Sequence, residues 1–335
     1  MKRTLRNPFF WLTVFVGCFT LLTATHQAAS RQTNSPVLLV QQSDEFEEVK
    51  RLVQQARQLY DQGKYNDAIP LVEKALTIVE NALGSENLAV AKSLDFLGQL
   101  HNYQGRYDEA EPLYLRSLAM REKILGKNHP DVAASLNNLG GLYSDQGRYD
   151  EAEPLYLRSL AIVEKALGKY HPFVGISLNS LATLYQNQGR YNEAEPLYLR
   201  SLAISEKALG ENHPDVGTSL NNLALLYQNQ RRYDEAEPLY LRSLAIGEKA
   251  LGENHPLVGT TLNNLAELYR SQRRYNEAEP LYLRSLAIRE KALGENHPDV
   301  ATSLNNLALL YKEQGRLDEA EPLFQRYREL LKKQR

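Results

Sequence analysis

Five histidines recur at a single interval. His129, His171, His213, His255 and His297 are each 42 residues apart, and each precedes a proline. Imidazole is a common metal ligand, so an array of it raises the question of a metal site. The spacing argues against one. Equivalent positions on stacked helices lie about 8–10 Å apart, whereas each His ligand must reach a zinc ion at about 2.0–2.1 Å. No second ligand type travels with the whole set, so the histidines read as turn residues ahead of proline. A second array, Arg116, Arg158, Arg200, Arg242, Arg284 and Arg326, has the same interval. It could form an anion-binding ridge. A net charge of only −2 favours a solvated face with glutamate partners, such as Glu164 after Arg158. The only Cys is Cys18, which removes thiol and disulfide chemistry from the rest of the chain. There is no Gly-rich phosphate loop, HExxH, CxxC or Gly-x-Ser-x-Gly. The expectation is a protein without catalytic residues, cofactor or metal.

Asparagine offers a different chemistry. Asn137-Asn138, Asn221-Asn222, Asn263-Asn264 and Asn305-Asn306 share the 42-residue interval, with Asn179-Ser180 in the remaining copy. A side-chain amide presents a donor and an acceptor, as a peptide backbone does. Such a row could hydrogen-bond an extended peptide, or one Asn of each pair could bond the neighbouring copy. Beside it run residues that change from copy to copy: Gly141, Thr183, Leu225, Glu267 and Leu309, then Ser144, Gln186, Gln228, Arg270 and Lys312. A constant amide row flanked by changing side chains could read a sequence, or the changes could be drift at exposed sites. A carboxylate clamp would want Lys or Arg in the parallel row, but Ala134, Ile176, Thr218, Thr260 and Thr302 stand there, which argues against that mode.

The elements that position these residues follow from the same period. Tyr65, Tyr107, Tyr149, Tyr191, Tyr233, Tyr275 and Leu317 are 42 apart, marking seven units: 44–84, 85–126, 127–168, 169–210, 211–252, 253–294 and 295–335. A fixed period of this length marks a solenoid. Within one unit, Pro130 suits the first position of a helix. Leu136, Leu139 and Tyr143 form an apolar stripe of helical period, and Gly147 ends the helix. Asp150 opens a second helix, with Glu153 completing a capping box. Ala152, Leu155, Tyr156, Ser159, Leu160 and Ile162 line its buried side, and Gly168 stops it. The tyrosines at 143, 149 and 156 sit at core spacing. A lone hairpin leaves one apolar side open, so neighbours must stack.

Asn138-Leu139-Gly140-x-x-Tyr143, Gly147-x-Tyr149-x-Glu151-Ala152, Tyr156 and Ser159 together resemble the tetratricopeptide repeat. The 42-residue form, with its LNNLA and EAEPLY runs, is similar to the repeats of kinesin light chains. The resemblance covers about 44–335. Its departures lie in the first two units, where Leu59 and His101 replace the first-helix Tyr, and Val53 and Asp95 replace the first Asn. It implies an all-α, right-handed α-solenoid of seven hairpins with a concave groove for extended peptides. On that reading the groove residues are the nine asparagines Asn137, Asn138, Asn179, Asn221, Asn222, Asn263, Asn264, Asn305 and Asn306, with Leu225, Glu267 and Arg270. The partner is a protein or peptide, with no nucleic acid. The alternative is a structural protein that self-assembles in the cell envelope; the polar, basic end at Lys332 and Lys333 favours a finite monomeric array.

Residues 1–30 read as a signal peptide. Lys2, Arg3 and Arg6 precede an apolar run from Phe9 to Leu22, and Ala28-Ala29-Ser30 offers a cut after Ser30. Export to a periplasm or the exterior follows. An uncleaved anchor through residues 9–22 is the alternative, although that run is shorter than the roughly 20 residues a spanning helix needs. Residues 31–43 read as a tether.

Overall fold

A computed structural model describes residues 36–333, and every regular element among them is an α-helix. The predicted signal segment with Ser30, and the start of the tether, lie outside these residues. The helices pair in chain order: α1 (Pro36–Asp61) with α2 (Tyr65–Leu83), α3 (Leu88–Tyr103) with α4 (Tyr107–Leu125), α5 (Pro130–Asp145) with α6 (Tyr149–Leu167), α7 (Pro172–Asn187) with α8 (Tyr191–Leu209), α9 (Pro214–Asn229) with α10 (Tyr233–Leu251), α11 (Pro256–Ser271) with α12 (Tyr275–Leu293), and α13 (Pro298–Glu313) with α14 (Leu317–Lys333). Residues 36–43, expected as a tether, are the first turns of α1. Pro36 takes a helix-starting position and no Gly or Pro follows before Asp61, so nothing stops the helix. The helices form two compact units, one over 36–60 and 65–169, the other over 61–64 and 170–333. None of the described helices is long and apolar enough to cross a membrane.

The recurrent histidines start the first helices. His129 Nδ1 accepts from the Asp131 backbone N–H at 3.1 Å, and His171, His213, His255 and His297 make the same bond at 3.0–3.2 Å. Each imidazole thus satisfies one of the helix's open N–H groups, and the following proline needs none. Asn87 does the same for α3 through Oδ1, at 2.9 Å. The second helices differ from expectation. They begin one residue early, at Tyr149 and its equivalents, with Arg148 at the cap making no side-chain cap bond. The capping box of Asp150 and Glu153 does not form, because the equivalents of Glu153 have partners in the next hairpin, described below.

Five of the seven hairpins close on a serine. Ser117, Ser159, Ser201, Ser243 and Ser285 donate from the second helix to a first-helix carbonyl at 2.6–2.9 Å. Tyr156 packs so closely on Gly140 that a Cβ there would lie 3.1 Å from the ring. Leu136, Leu139, Tyr143, Ala152, Tyr156, Ser159 and Ile162 are all buried as predicted, while Leu155 and Leu160 are half-buried.

The turn within the hairpin requires positive φ. Gly147 adopts +76°, but Arg231 and Arg273 occupy the same site at +61° and +60°. An L-residue in that region costs about 1–2 kcal/mol. Arg231→Gly and Arg273→Gly are therefore each expected to stabilise by ~1 kcal/mol, less the added chain entropy of glycine. Urea unfolding of the single and double variants checks this, and a lowered midpoint would contradict it.

Candidate peptide-binding face

Hairpins within each unit are clamped at their turn ends. Tyr143 Oη donates to Glu111 Oε1 of the preceding hairpin at 2.9 Å. The Arg148 guanidinium lies 4.0 Å from the centre of the Tyr143 ring, and its Nη1 donates to Glu111 Oε2 at 2.8 Å. Arg148 also holds Glu151 in its own helix. The arrangement recurs as Tyr227–Arg232–Glu195, Tyr269–Arg274–Glu237 and Tyr311–Arg316–Glu279. The bond from arginine holds Glu111, Glu237 and Glu279 below the usual carboxylate range. Burial, helped by the carboxylate, pushes Tyr143 and Tyr269 up to about 12. The clamp explains both acids of the recurrent Glu-Ala-Glu-Pro. The first binds the arginine of its own turn and the second binds the arginine and tyrosine of the next hairpin. Sequence reasoning missed this, although Arg148, Arg190, Arg232, Arg274 and Arg316 recur in register and signalled it.

The outer arginine row is also a clamp. Arg158 Nη2 donates to Glu122 on the preceding second helix at 2.6 Å, so its partner is Glu122 and not Glu164. Arg116, Arg242 and Arg284 pair with Glu80, Glu206 and Glu248 at 2.7 Å. Exposed pairs of this kind contribute at most about 1 kcal/mol each. They leave this row no unpaired ridge for an anion.

The asparagines fall into two groups. In the second unit they bond one another across hairpins: Asn222 Nδ2 to Asn179 Oδ1 at 3.0 Å, Asn264 to Asn221 at 3.1 Å and Asn306 to Asn263 at 3.1 Å. Each bond uses one of two N–H donors on one residue and one of two lone pairs on the other. Asn305 is half-buried in the last hairpin. In the first unit the chain of amides is broken. Asp95 stands in the acceptor position and lies 2.6 Å from Arg121 Nη1. Asn138 Nδ2 and Asn137 Oδ1 are buried with no hydrogen-bond partner. Burial pushes the Asp95 carboxyl up, against the pull of Arg121.

The changing row rests on constant tyrosines. Tyr198, Tyr240 and Tyr282 are buried on the second helices, yet their hydroxyls reach first-helix side chains. Tyr198 Oη lies 2.9 Å from Thr183 Oγ1 and donates to Gln186 at 2.9 Å. Tyr240 donates to Gln228 at 2.8 Å and Tyr282 to Glu267 at 2.8 Å. Glu267 also accepts from Arg270 Nη2 at 2.6 Å, and Arg270 bonds Glu313. Glu267 and Arg270 are therefore brought together as a pair, and Leu225 sits half-buried in the same row. No group of three or more His, Cys, Asp or Glu among the described residues is arranged to hold a metal ion.

Comparison with known proteins agrees with this architecture. The tetratricopeptide repeat profile matches residues 51–123, 93–165, 131–207, 173–246, 215–291 and 260–333. No curated protein matches. Among solved structures, BtubC (BKLC) from P. vanneervenii is 25% identical, with a TM-score of 0.53 over 69% of this chain and 90% of its own. The nearly identical TPR-like repeats of a Podosopora anserina kinesin light chain are 32% identical, with a TM-score of 0.50 over 61% of this chain and 97% of theirs. The Rap conjugation gene regulator of plasmid pLS20, solved with the Phr* peptide, shares the fold at 15% identity, with a TM-score of 0.69 over 96% and 85%.

Proposed function

The chain belongs to the tetratricopeptide repeat family, and from that premise we propose that it is a noncatalytic scaffold that binds a protein or extended peptide along its first-helix face. The observation that carries this reading is the changing row held up by constant tyrosines. Thr183, Leu225 and Glu267 differ between hairpins, as do Gln228 and Arg270, while the tyrosines that bond Thr183, Gln186, Gln228 and Glu267 repeat. Side chains fixed from below lose little freedom on binding, so the ordering cost falls on the ligand. The amides divide by unit. In the first unit Asn137 Oδ1 and Asn138 Nδ2 are buried without partners, and the paired asparagines of the second contribute mainly by fixing the spacing of the hairpins. The pLS20 regulator, solved with a peptide, offers a fold-level parallel.

The test uses a variant in which Leu225, Glu267 and Arg270 become Ala, shown by circular dichroism to fold. Wild type and variant are used to capture proteins from the source cell's extract. A protein held by wild type and lost at least tenfold from the variant supports the reading. Equal retention would move binding off this face. On the sequence of residues 1–30 we also propose export, with cleavage after Ser30. N-terminal sequencing of the protein from its own cell tests this, and an intact Met1 in a cytoplasmic fraction contradicts it.

A further inference from the structure

We propose that Arg231 and Arg273 form a docking edge for an acidic segment of a protein partner, on the side of the second unit where its hairpins turn. The proposal goes beyond the first-helix face and stands on its own observations.

Arg231 joins α9 to α10, and Arg273 joins α11 to α12. They occupy one site in two adjacent hairpins, with φ of +61° and +60°. Glycine fills that site in the other five, as Gly63, Gly105, Gly147, Gly189 and Gly315 at +70° to +77°. The left-handed region brings Cβ too close to the following carbonyl oxygen, so arginine is strained there and glycine is not. Packing does not offset the strain. A Cβ at Gly147, Gly189 or Gly315 would meet no atom within 4 Å, so a side chain at this site leaves the turn into open space. Both arginines are exposed accordingly. Their backbone N–H groups donate to the Gln228 and Arg270 carbonyls, as that of Gly147 does to Ser144. Their side chains make no hydrogen bond or ion pair among the described residues, which include every Asp and Glu of the sequence. The helix dipole favours a cation at this end, yet five glycine turns close without one. Strain at an exposed site without a packing cause points to function.

The neighbours leave both charges unused. Arg232 and Arg274, next in the chain, are each held by two glutamates of the clamp. Glu235, Glu237 and Glu277 are kept below the usual carboxylate range by Arg232 and Arg274, with no pull from Arg231 or Arg273. Asp234 follows Arg231 by three residues without pairing with it, and Asn276 holds the same place after Arg273. Lys312, in the last turn of α13, is a third exposed cation without a partner among the described residues, one hairpin further on. Three such cations are fewer than the cluster of about 4–8 that recognises a lipid surface, and a chain of net charge −2 does not attract nucleic acid. They suit carboxylates on one short segment. Equivalent sites of adjacent hairpins lie about 8–10 Å apart. A polyproline II chain turns the same side outward at every third residue, roughly 9 Å on. An acid at every third position therefore meets successive arginines, and each guanidinium can take its carboxylate through two parallel N–H bonds.

The experiment follows the fluorescence anisotropy of a rhodamine-labelled peptide of repeated Glu-Pro-Thr triplets titrated with the full chain. The same peptide with Gln in place of Glu is the uncharged control. The expected result is saturable binding of the Glu peptide that weakens as salt rises, with the Gln peptide about tenfold weaker. Arg231→Gly combined with Arg273→Gly should bind the Glu peptide about tenfold more weakly than wild type, the loss expected for two exposed ion pairs, while its urea midpoint rises. Arg231→Lys combined with Arg273→Lys keeps both charges and both left-handed side chains, and should bind within about threefold of wild type. Weaker binding together with higher stability is a result that a purely structural arginine does not give. No saturable binding of the Glu peptide, or equal binding by wild type and the Gly pair, overturns the proposal. A lowered midpoint in the Gly pair removes the strain argument and overturns it too. Vesicles containing phosphatidylserine are the last arm: if wild type binds them, the Gly pair does not, and neither binds the peptide, the edge is a lipid contact and the proposal fails.

Discussion

Arg121→Met lowers the unfolding free energy by about 3–5 kcal/mol, because it strands the Asp95 carboxyl in the interior without its partner. Arg121 is 2% exposed and holds Asp95, Ser135 and the Asp131 carbonyl. Methionine fills much of the volume but supplies no charge. The same substitution at Arg289 removes a buried cation that forms no ion pair among the described residues and is attracted only at longer range by Asp299, so it is expected to be neutral or stabilising by ~1–4 kcal/mol. Two substitutions at equivalent positions thus differ in sign. Urea unfolding of both variants tests this, and equal losses would refute the distinction. A rescue sharpens it. Asp95→Asn with Arg121→Val restores the residues of the next hairpin, Asn137 and Val163. It also gives the unpartnered Asn138 Nδ2 an acceptor of the kind Asn222 finds in Asn179. The double variant should recover at least wild-type stability.

Replacing His255 by Asn should remove an acid-dependent loss of about 1 kcal/mol, the size of one helix cap. Its imidazole caps α11 through Nδ1 as an acceptor, so protonation ends the bond. Burial holds it below the ordinary histidine value in the folded chain. Its contribution is therefore present above that ordinary value, near 6.5, and is lost as the pH falls through the lower folded-state value. Asn87 already performs the task with an amide that does not titrate. The clamping carboxylates Glu111, Glu237 and Glu279 titrate lower still and are common to both proteins. The readout is the thermal midpoint against pH. Parallel slopes for wild type and variant would show that the His255 cap does not contribute to acid stability.

Much of the fold was legible because its signals are local. Pro130, Gly147 and Gly168 punctuate the hairpin through backbone geometry alone, and Leu136, Leu139 and Tyr143 announce one face by their spacing. The start of α1 was missed because Pro36 and the apolar run after it carry no stop signal in either direction. The capping box was misread because Asp150-Glu151-Ala152-Glu153 satisfies that pattern, yet Glu111 and its equivalents gain stronger, charge-assisted bonds to arginine in the next hairpin. The candidate face was legible as a set of rows, but the bonds within and beneath them were not. Nothing in the spacing of Tyr198, Tyr240 and Tyr282 says that their hydroxyls reach through the hairpin to Gln186, Gln228 and Glu267.

The sequence by itself determined that this is a helical hairpin array, where the hairpins after the first begin and end, and most of the residues that form their core. Those properties depend on dihedral preference and on helical period, which act within one unit. Only the tertiary structure decided which rows bond to which. A strict 42-residue repeat sets every residue beside its own copies, so all rows look alike in spacing. Whether an arginine meets Glu122 or Glu164, whether an asparagine meets an amide of the next hairpin, and whether a buried guanidinium finds Asp95 or only neutral acceptors depends on the offset between stacked hairpins. That offset is set by side-chain packing between units, and no single repeat contains it.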